Sequence, residues 1–313
     1  MNISVETNLG PVLKSGIVSI VGRPNVGKST MLNLIVGEKI SITSRVPQTT
    51  RQRIRGIYND NRGQIVFIDT PGFHKGRDKL DAFMNQASAG SMNDVDGIVY
   101  LVDTSRLIGE EEEMIASKLK FARCPVILGL NKIDLAPKNV PMYIEFWERI
   151  KGMPVTEMKN FRMITLSGKT EANIDQLVEM IFEFLPEGEP LYPRDSVTDM
   201  PERLAVSEII REKLFRQTRE EVPHSLGVII EDIERLPRKR VHIKAVILTE
   251  RDSQKEIIIG KSGQMVKKIG TLAREDLEEF FGCKVFLQLY VKSKNRWRDN
   301  VFLLHDLGYA FES

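Results

Sequence analysis

The sequence predicts an α/β chain in two parts: a doubly wound, mostly parallel sheet over residues 1–185, then, after a linker at 186–200, a smaller α+β unit over 201–313. Three observations carry this. Apolar runs alternate with segments of helical periodicity through the first part, the pattern of βαβ units. A glycine-rich loop, Gly22-Arg-Pro-Asn-Val-Gly-Lys-Ser29, lies between the first apolar run and the first helical stretch. A stretch at 185–201 with four prolines and several acids then breaks all periodicity and reads as an extended linker.

The bulk numbers agree with this division. A chain of 313 residues, 42% apolar and 28% charged, has room for two globular domains of ordinary size. No apolar run is long enough to span a bilayer. The first ten residues lack the basic flank and apolar core of a signal peptide, so a cytoplasmic location is expected. The net charge of +2 gives no general polyanion signal, and local clusters matter more. Cys124 and Cys283 have no CxxC neighbour; a disulfide or zinc site is not expected, and both read as buried small hydrophobes.

In order, strands are expected at 17–22, 52–59, 64–69, 97–103, 125–131 and 162–167, and helices at 28–36, 80–92, 110–122, 141–151 and 171–184. Three of the strands are near-continuous apolar runs, as strands buried on both faces are. A ligand site belongs at the carboxyl ends of such a sheet.

The motifs fall at those ends. Gly22, Arg23, Pro24, Asn25, Val26, Gly27, Lys28 and Ser29, followed by Thr30, fit the P-loop pattern G-x-x-x-x-G-K-[ST] of P-loop NTPases. Its backbone N–H groups and the helix N-terminus can cradle a polyphosphate, Lys28 can reach the β- and γ-phosphates, and Ser29 can hold magnesium. Asp69, Thr70, Pro71 and Gly72 follow a strand; the carboxylate can orient magnesium through water, and the Gly72 N–H can meet a γ-phosphate. Asn131, Lys132, Ile133 and Asp134 follow the next buried strand but one. An acid there can accept two N–H groups from guanine, a pair adenine does not present, and the Lys132 stem can lie along the base. Ser167, Gly168 and Lys169 stand where a loop can close over the base.

In order and spacing these motifs resemble a translation-factor-class GTPase domain. The resemblance implies GTP and GDP as ligands with Mg2+ held at Ser29, Thr50 and Asp69, and catalysis by Lys28, Thr50, Gly72 and Asn25. It marks Thr50, rather than its neighbour Thr49, as the switch threonine that closes on the metal. The segment 41–53, rich in Ser, Thr and Arg, reads as a loop ordered by nucleotide. Phe73 stands where Ras-like enzymes carry a water-orienting glutamine, which implies slow intrinsic turnover or another activating element. In related GTPases an asparagine at the place of Asn25 helps hold K+, which would supply the missing charge. His74 reads as a solvated side chain before it reads as a general base.

In the second unit a helix is expected over 202–219, with Leu204, Ile209, Ile210 and Leu214 on one face, then alternating strands at 225–234 and 241–249 joined by a turn at 236–239. Gly260-Lys-Ser-Gly263 lies between two short helices, and a strand at 284–291 closes the unit. The order α-β-β-α-α-β with Gly-x-x-Gly resembles a type II KH domain. This implies that a nucleic-acid backbone packs on Gly260 and Gly263 beside a groove for about four unpaired bases. Ile259, Lys261, Ser262, Lys267 and Lys268 complete that RNA-binding set. Two basic clusters, Arg235, Arg238, Lys239, Arg240, Lys244 and Lys292, Lys294, Arg296, Arg298, read either as solvated loops or as phosphate contacts. Trp297 reads as an anchor for a C-terminal helix carrying Val301, Leu304 and Leu307, or as a base-stacking ring.

Over its whole length the chain resembles the Era-type family of GTPases. The family implies a GTP-hydrolysing switch that binds the 3′ end of small-subunit (16S) ribosomal RNA during maturation of the 30S subunit. It also implies peripheral association with the inner membrane, for which the sequence shows no anchor; a monomer is expected. Two alternatives remain at this level: a nucleotide-binding RNA scaffold with negligible turnover, and a GTPase whose KH fold docks protein.

Overall fold

A computed structural model describes residues 13–43, 49–72, 76, 78–135 and 139–309. Phe73 and His74 lie outside the described residues, as do Gln48 and the first ten residues.

The first part is a six-stranded sheet in the order β2-β3-β1-β4-β5-β6, with β1 Lys14–Val21, β2 Ile54–Asp60, β3 Gly63–Asp69, β4 Gly97–Asp103, β5 Val126–Asn131 and β6 Phe161–Thr165. β2 runs antiparallel to β3; all the other pairs are parallel. Every residue of β3, β4 and β5 is buried, because helices cover both faces. On one face α1 (Lys28–Val36) and α5 (Ile174–Phe184) pack over Ile20, Phe67 and Leu101. On the other, α3 (Glu110–Leu119) and α4 (Val140–Lys151), which carries Trp147, close over Tyr100 and Leu128. Between β3 and β4 lies α2 (Lys79–Gly90), capped by Asp78, whose side chain accepts from the Asp81 N–H.

Residues 186–200 form no helix, turn back at Arg194–Asp195 where the Ser196 N–H donates to Pro193 O at 3.0 Å, and are not free. They run along the outer edge of β2 and past β3: the Ile57 N–H donates to Val197 O at 2.8 Å, Thr198 Oγ1 to Arg55 O at 2.7 Å, and Gln64 Nε2 to Tyr192 O at 2.9 Å. This segment covers a sheet edge that would otherwise expose unpaired backbone.

The second part is a three-stranded sheet, β7 (Gly227–Leu236), β8 (Arg240–Thr249) and β9 (Lys284–Ser293), antiparallel between the first pair and parallel between the second. Helices α6 (Glu202–Gln217), α7 (Asp252–Ile259) and α8 (Gln264–Phe281) cover one face, with Val206, Ile243, Ile269 and Leu277 in the core. The second of the helices around Gly-x-x-Gly is not short: α8 has 18 residues and ends only where Gly282 turns left-handed at φ 61°. The last helix, α9 (Val301–Asp306), is capped by the Asn300 side chain. Cys124 and Cys283 are free and half-buried rather than fully buried.

Candidate functional site

At the carboxyl ends of β1 and β3 the P-loop surrounds a cavity of about 330 Å³ lined by Pro24, Asn25, Gly27, Lys28, Ser29, Thr30, Thr50, Thr70, Gly72 and Lys132, among others. Gly27 is left-handed at φ 106°, and a Cβ there would lie 2.5 Å from Asn131 Nδ2, so the turn into α1 requires glycine. Lys28 is fully buried, and its Nζ donates to Gly22 O and Arg23 O, each at 3.0 Å. Burial lowers its pKa to about 8 against the opposing pull of Asp69. Arg23 points away and pairs with buried Glu112 of α3 at 2.7 Å, bracing the loop from behind. Thr70 Oγ1 donates to Ile20 O at 3.0 Å, and Pro71 O accepts from Ser88 of α2.

Three hydroxyls converge on one oxygen of Asp69. Ser29 Oγ donates to Oδ2 at 2.7 Å, Ser41 Oγ at 3.0 Å and Thr50 Oγ1 at 3.2 Å; Ser29 Oγ and Thr50 Oγ1 are 2.9 Å apart. The other oxygen, Oδ1, is buried without a hydrogen-bond partner. Burial raises the Asp69 pKa, and Lys28 and the hydroxyls oppose it. A buried carboxylate with an orphaned oxygen, ringed by hydroxyls, is a hard-oxygen set that fits Mg2+. Ser41 was not legible as part of this group. It carries no motif of its own and reaches Asp69 only because Asn33 of α1 takes its N–H and its C=O.

The residues of the Asn131–Asp134 and Ser167–Lys169 motifs meet at the ends of β5 and β6. Asn131 Nδ2 donates to Val26 O at 2.7 Å and its Oδ1 accepts from the Gly168 N–H at 3.2 Å. Asp134 accepts from Ser167 Oγ at 2.7 Å, and the exposed Lys169 lies 3.9 Å from its other oxygen. Lys132, left-handed at φ 65°, donates to Asn25 O and to Asp103 Oδ2, both at 2.7 Å. Burial pushes the Asp103 carboxyl up, but hydrogen bonds from Lys132 and Ser105 outweigh it and hold the pKa below the ordinary value. Asp103 was legible only as the last residue of a strand.

In the second part the Gly-x-x-Gly turn joins α7 to α8. Gly260 is left-handed at φ 70°, and a Cβ there would meet Met265 Cβ at 2.6 Å; Gly263, at φ 76°, faces open space. Lys261, Ser262, Lys267 and Lys268 are exposed around it, and Ile259 is half-buried. A groove of about 1090 Å³ opens beyond the turn, between Val266, Lys267, Gly270, Thr271 and Arg274 of α8 and Phe286, Leu287 and Leu289 of β9. Gly270, Thr271 and Arg274 escaped the sequence reading, although their spacing from Lys267 marks one helix face. Phe286 is 53% exposed, an aromatic ring free for stacking.

The basic clusters divide. Arg235 pairs with Glu202 at 2.5 Å, Lys292 with Glu231 at 3.3 Å and Arg296 with Asp299 at 3.3 Å, which leaves them little surplus charge for phosphate. Arg298 is nearly buried between the two parts, 2.8 Å from Asp78 and 3.0 Å from Asp81 of α2, and its Nη1 donates to His224 O at 2.9 Å. Trp297 is fully buried with its Nε1 donating to Ser225 O at 2.8 Å, so it anchors the C-terminal segment and does not stack on a base.

The two parts meet just after Thr50. Arg51 follows Thr50 and is buried in the second part: its Nη1 donates to Leu226 O at 2.6 Å, its Nη2 reaches Pro223 O and His224 O, and its guanidinium lies 5.7 Å from the Phe215 ring centre. Burial lowers its pKa to about 10, so it stays charged at neutral pH. Gln52 Nε2 donates to Leu307 O at 3.3 Å. Leu80, Phe83 and Met84 of α2 share an apolar cluster with Val246, Leu248, Trp297, Leu304 and Tyr309.

Comparison with known proteins places this geometry among relatives. The model of the 50S ribosome-binding GTPase family matches residues 17–132, and the KH domain model matches 221–298. Over 296 residues the chain is 47% identical to GTPase Era of Halothermothrix orenii, covering 95% of this chain and 98% of that one. GTPase Era of Caldanaerobacter subterraneus subsp. tengcongensis is 48% identical over 303 residues, 96% of this chain and 99% of the relative. Among solved structures, a point variant of Aquifex aeolicus Era bound to GDP·AlF4− matches with a TM-score of 0.88 and 39% identity, over 96% of this chain and all of that one. A structure of Era in complex with MgGDPNP and nucleotides 1506–1542 of 16S ribosomal RNA matches with a TM-score of 0.89 at the same identity and coverage.

Proposed function

Because this chain belongs to the GTPase Era family, we propose that it is a GTP-hydrolysing switch that binds the 3′ end of 16S ribosomal RNA and acts in maturation of the 30S subunit. The observation that carries this reading is the pair Thr50 and Arg51. One hydroxyl sits at the Asp69 centre while the next side chain is buried among the backbone carbonyls of the KH part. Nucleotide state and KH docking then share a single peptide bond. The relative bound to both MgGDPNP and 16S RNA supports the same pairing of ligands.

Bound magnesium supplies positive charge at the phosphates and would be held by Ser29 and Thr50, with Asp69 orienting its water. The chain's own groups do the rest. The P-loop amides and Lys28 hold the polyphosphate and counter the charge that develops on it during transfer. The Gly72 N–H meets the γ-phosphate and reports its presence to α2. Asp134, steadied by Ser167, selects guanine, and Lys132, steadied by Asp103, flanks the base. Asn25 would help hold a K+, which would supply charge where an arginine finger otherwise does; hydrolysis equally fast in sodium and potassium buffers would remove that ion from the scheme. Gly260 to Gly263 and the α8–β9 groove take the single-stranded RNA end.

No helix among the described residues is long and apolar enough to cross a membrane. The reading places the protein in the cytoplasm, as a monomer, with any contact at the inner membrane peripheral. The test is the affinity for an oligonucleotide of the 16S 3′ end with a GTP analogue and with GDP. Tighter binding in the analogue state is expected, and equal affinities would remove the switch.

A further inference from the structure

Both flanks of the switch segment face two ways. Just after α1, Lys39 Nζ donates to Glu212 Oε2 on α6 at 2.6 Å and to Asp276 Oδ2 on α8 at 3.0 Å. Two residues on, Ser41 Oγ donates to Asp69 Oδ2 at 3.0 Å. The far flank repeats the alternation, with Thr50 on Asp69 and Arg51 in the KH part. Each flank therefore ties the carboxylate of the metal centre to the KH part across one or two residues.

Helix α8 is what the near flank shares with the RNA groove. Lys267, Gly270, Thr271 and Arg274 line the groove, and Asp276 holds Lys39. Asp276 is two residues beyond Arg274, about 200° around the helix, so the two face opposite ways on one rigid element. Glu212, fully buried, is the deeper anchor and also pairs with Arg216 at 2.8 Å. Burial works against the charge on Lys39, but its hydrogen bonds to Glu212 and Asp276 outweigh it and raise its pKa. Burial likewise works against the charge on Asp276, but hydrogen bonds from Lys213 and Lys39 lower its pKa. The pair is ionised at neutral pH.

We propose that Lys39 is a positioning residue through which helix α8 sets Ser41 against the Asp69 carboxylate, so that RNA in the groove and magnesium nucleotide in the P-loop raise each other's affinity. This rests on the nucleotide-dependent RNA binding argued above and names the side chain that transmits it. A merely structural ion pair would alter stability and leave the mutual effect intact. By linkage the effect is reciprocal: the factor by which GDPNP tightens RNA equals the factor by which RNA tightens GDPNP.

The test measures that factor in both directions. A fluorescein-labelled oligonucleotide of the 16S 3′ end is titrated by anisotropy against the full chain with magnesium and GDP or GDPNP, and GDPNP is titrated with and without the RNA. The native chain is expected to show a factor of about tenfold. Lys39→Ala should bring it to twofold or less, with GDP affinity and RNA affinity in the GDP state within twofold of native. Lys39→Arg, which keeps the charge, should retain it. Asp276→Asn, which weakens the same bridge from the α8 side, should lose it. Full coupling in Lys39→Ala or Asp276→Asn overturns the proposal and leaves the switch reading standing. A native chain with no coupling at all overturns both.

Discussion

Lys28 gives the P-loop a measurable proton. Its burial holds the ammonium at a pKa of about 8 in the empty protein, whereas a polyphosphate set against it restores the ordinary preference for the charged form. Nucleotide binding above neutral pH therefore takes up a proton. With a pKa of about 8, the free lysine is about 0.1 deprotonated at pH 7 and about 0.8 at pH 8.5. Over that interval GDP affinity should fall about fourfold, or about 0.8 kcal/mol. The assay is isothermal titration of magnesium GDP at pH 8.5 in two buffers of different ionisation enthalpy, where the phosphates are already ionised and guanine keeps its N1 proton. The slope of observed against buffer enthalpy should give uptake of about 0.8 proton per nucleotide. The stability of the empty protein carries the same signature with a definite sign. Between pH 8 and the ordinary lysine value the folded state binds fewer protons than the unfolded one, so stability rises with pH across that window, by up to about 3 kcal/mol. No proton uptake at pH 8.5 would show that Lys28 is fully charged before nucleotide arrives, and the argument from burial would be refuted.

Three substitutions test the rest of the architecture. A Cβ on Gly72 would lie 2.6 Å from Pro24 N and crowd the Pro24 ring, so Gly72→Ala should weaken GDPNP at least tenfold while sparing GDP, read by competition with a fluorescent nucleotide. Removing Arg298 leaves Asp78 and Asp81 facing a nearly closed interface, and Arg298→Ala should destabilise docking by about 3 kcal/mol, seen as separate melting of the two parts by calorimetry. Trp297→Ala empties a fully buried site and orphans Ser225 O; a loss of about 3–5 kcal/mol is expected in urea unfolding of the KH part.

The nucleotide motifs were legible because each is a contiguous run whose backbone conformation determines its composition. Gly27 cannot carry a side chain beside Asn131, and the buried strands admit only apolar residues. The strands and helices of the first part follow from the same periodicity, with ends that shift by up to three residues, as at Lys14, Leu119 and Ile174. The contacts between the parts were not legible, because they join single residues far apart in the chain, as Arg51 and Leu226 are, 175 positions apart. Arg298 reads as one basic residue among several until Asp78 and Asp81 are brought against it. The apolar positions from Met265 to Phe281 trace α8 in the sequence, and Gly270 sits inside that run. In the fold Gly270 lies on the groove face, where a Cβ would come within 3.5 Å of Leu289, and the helix continues through it. Ser41 and Asp103 hold motif residues in place, and nothing in their neighbourhood marks them for that role before the chain is folded.

The segment at 186–200 has a consequence for motion. It is stitched to β2 as far as Thr198 and Asp199, and Met200 packs on the first core, whereas α6 begins at Glu202. The KH part thus hangs from the nucleotide part by a pivot of one or two residues and not by a slack tether. If it swings away, it cannot wander, and its local concentration at the switch stays at millimolar or above. Under that leash, contacts too feeble to join two separate molecules are enough to return it.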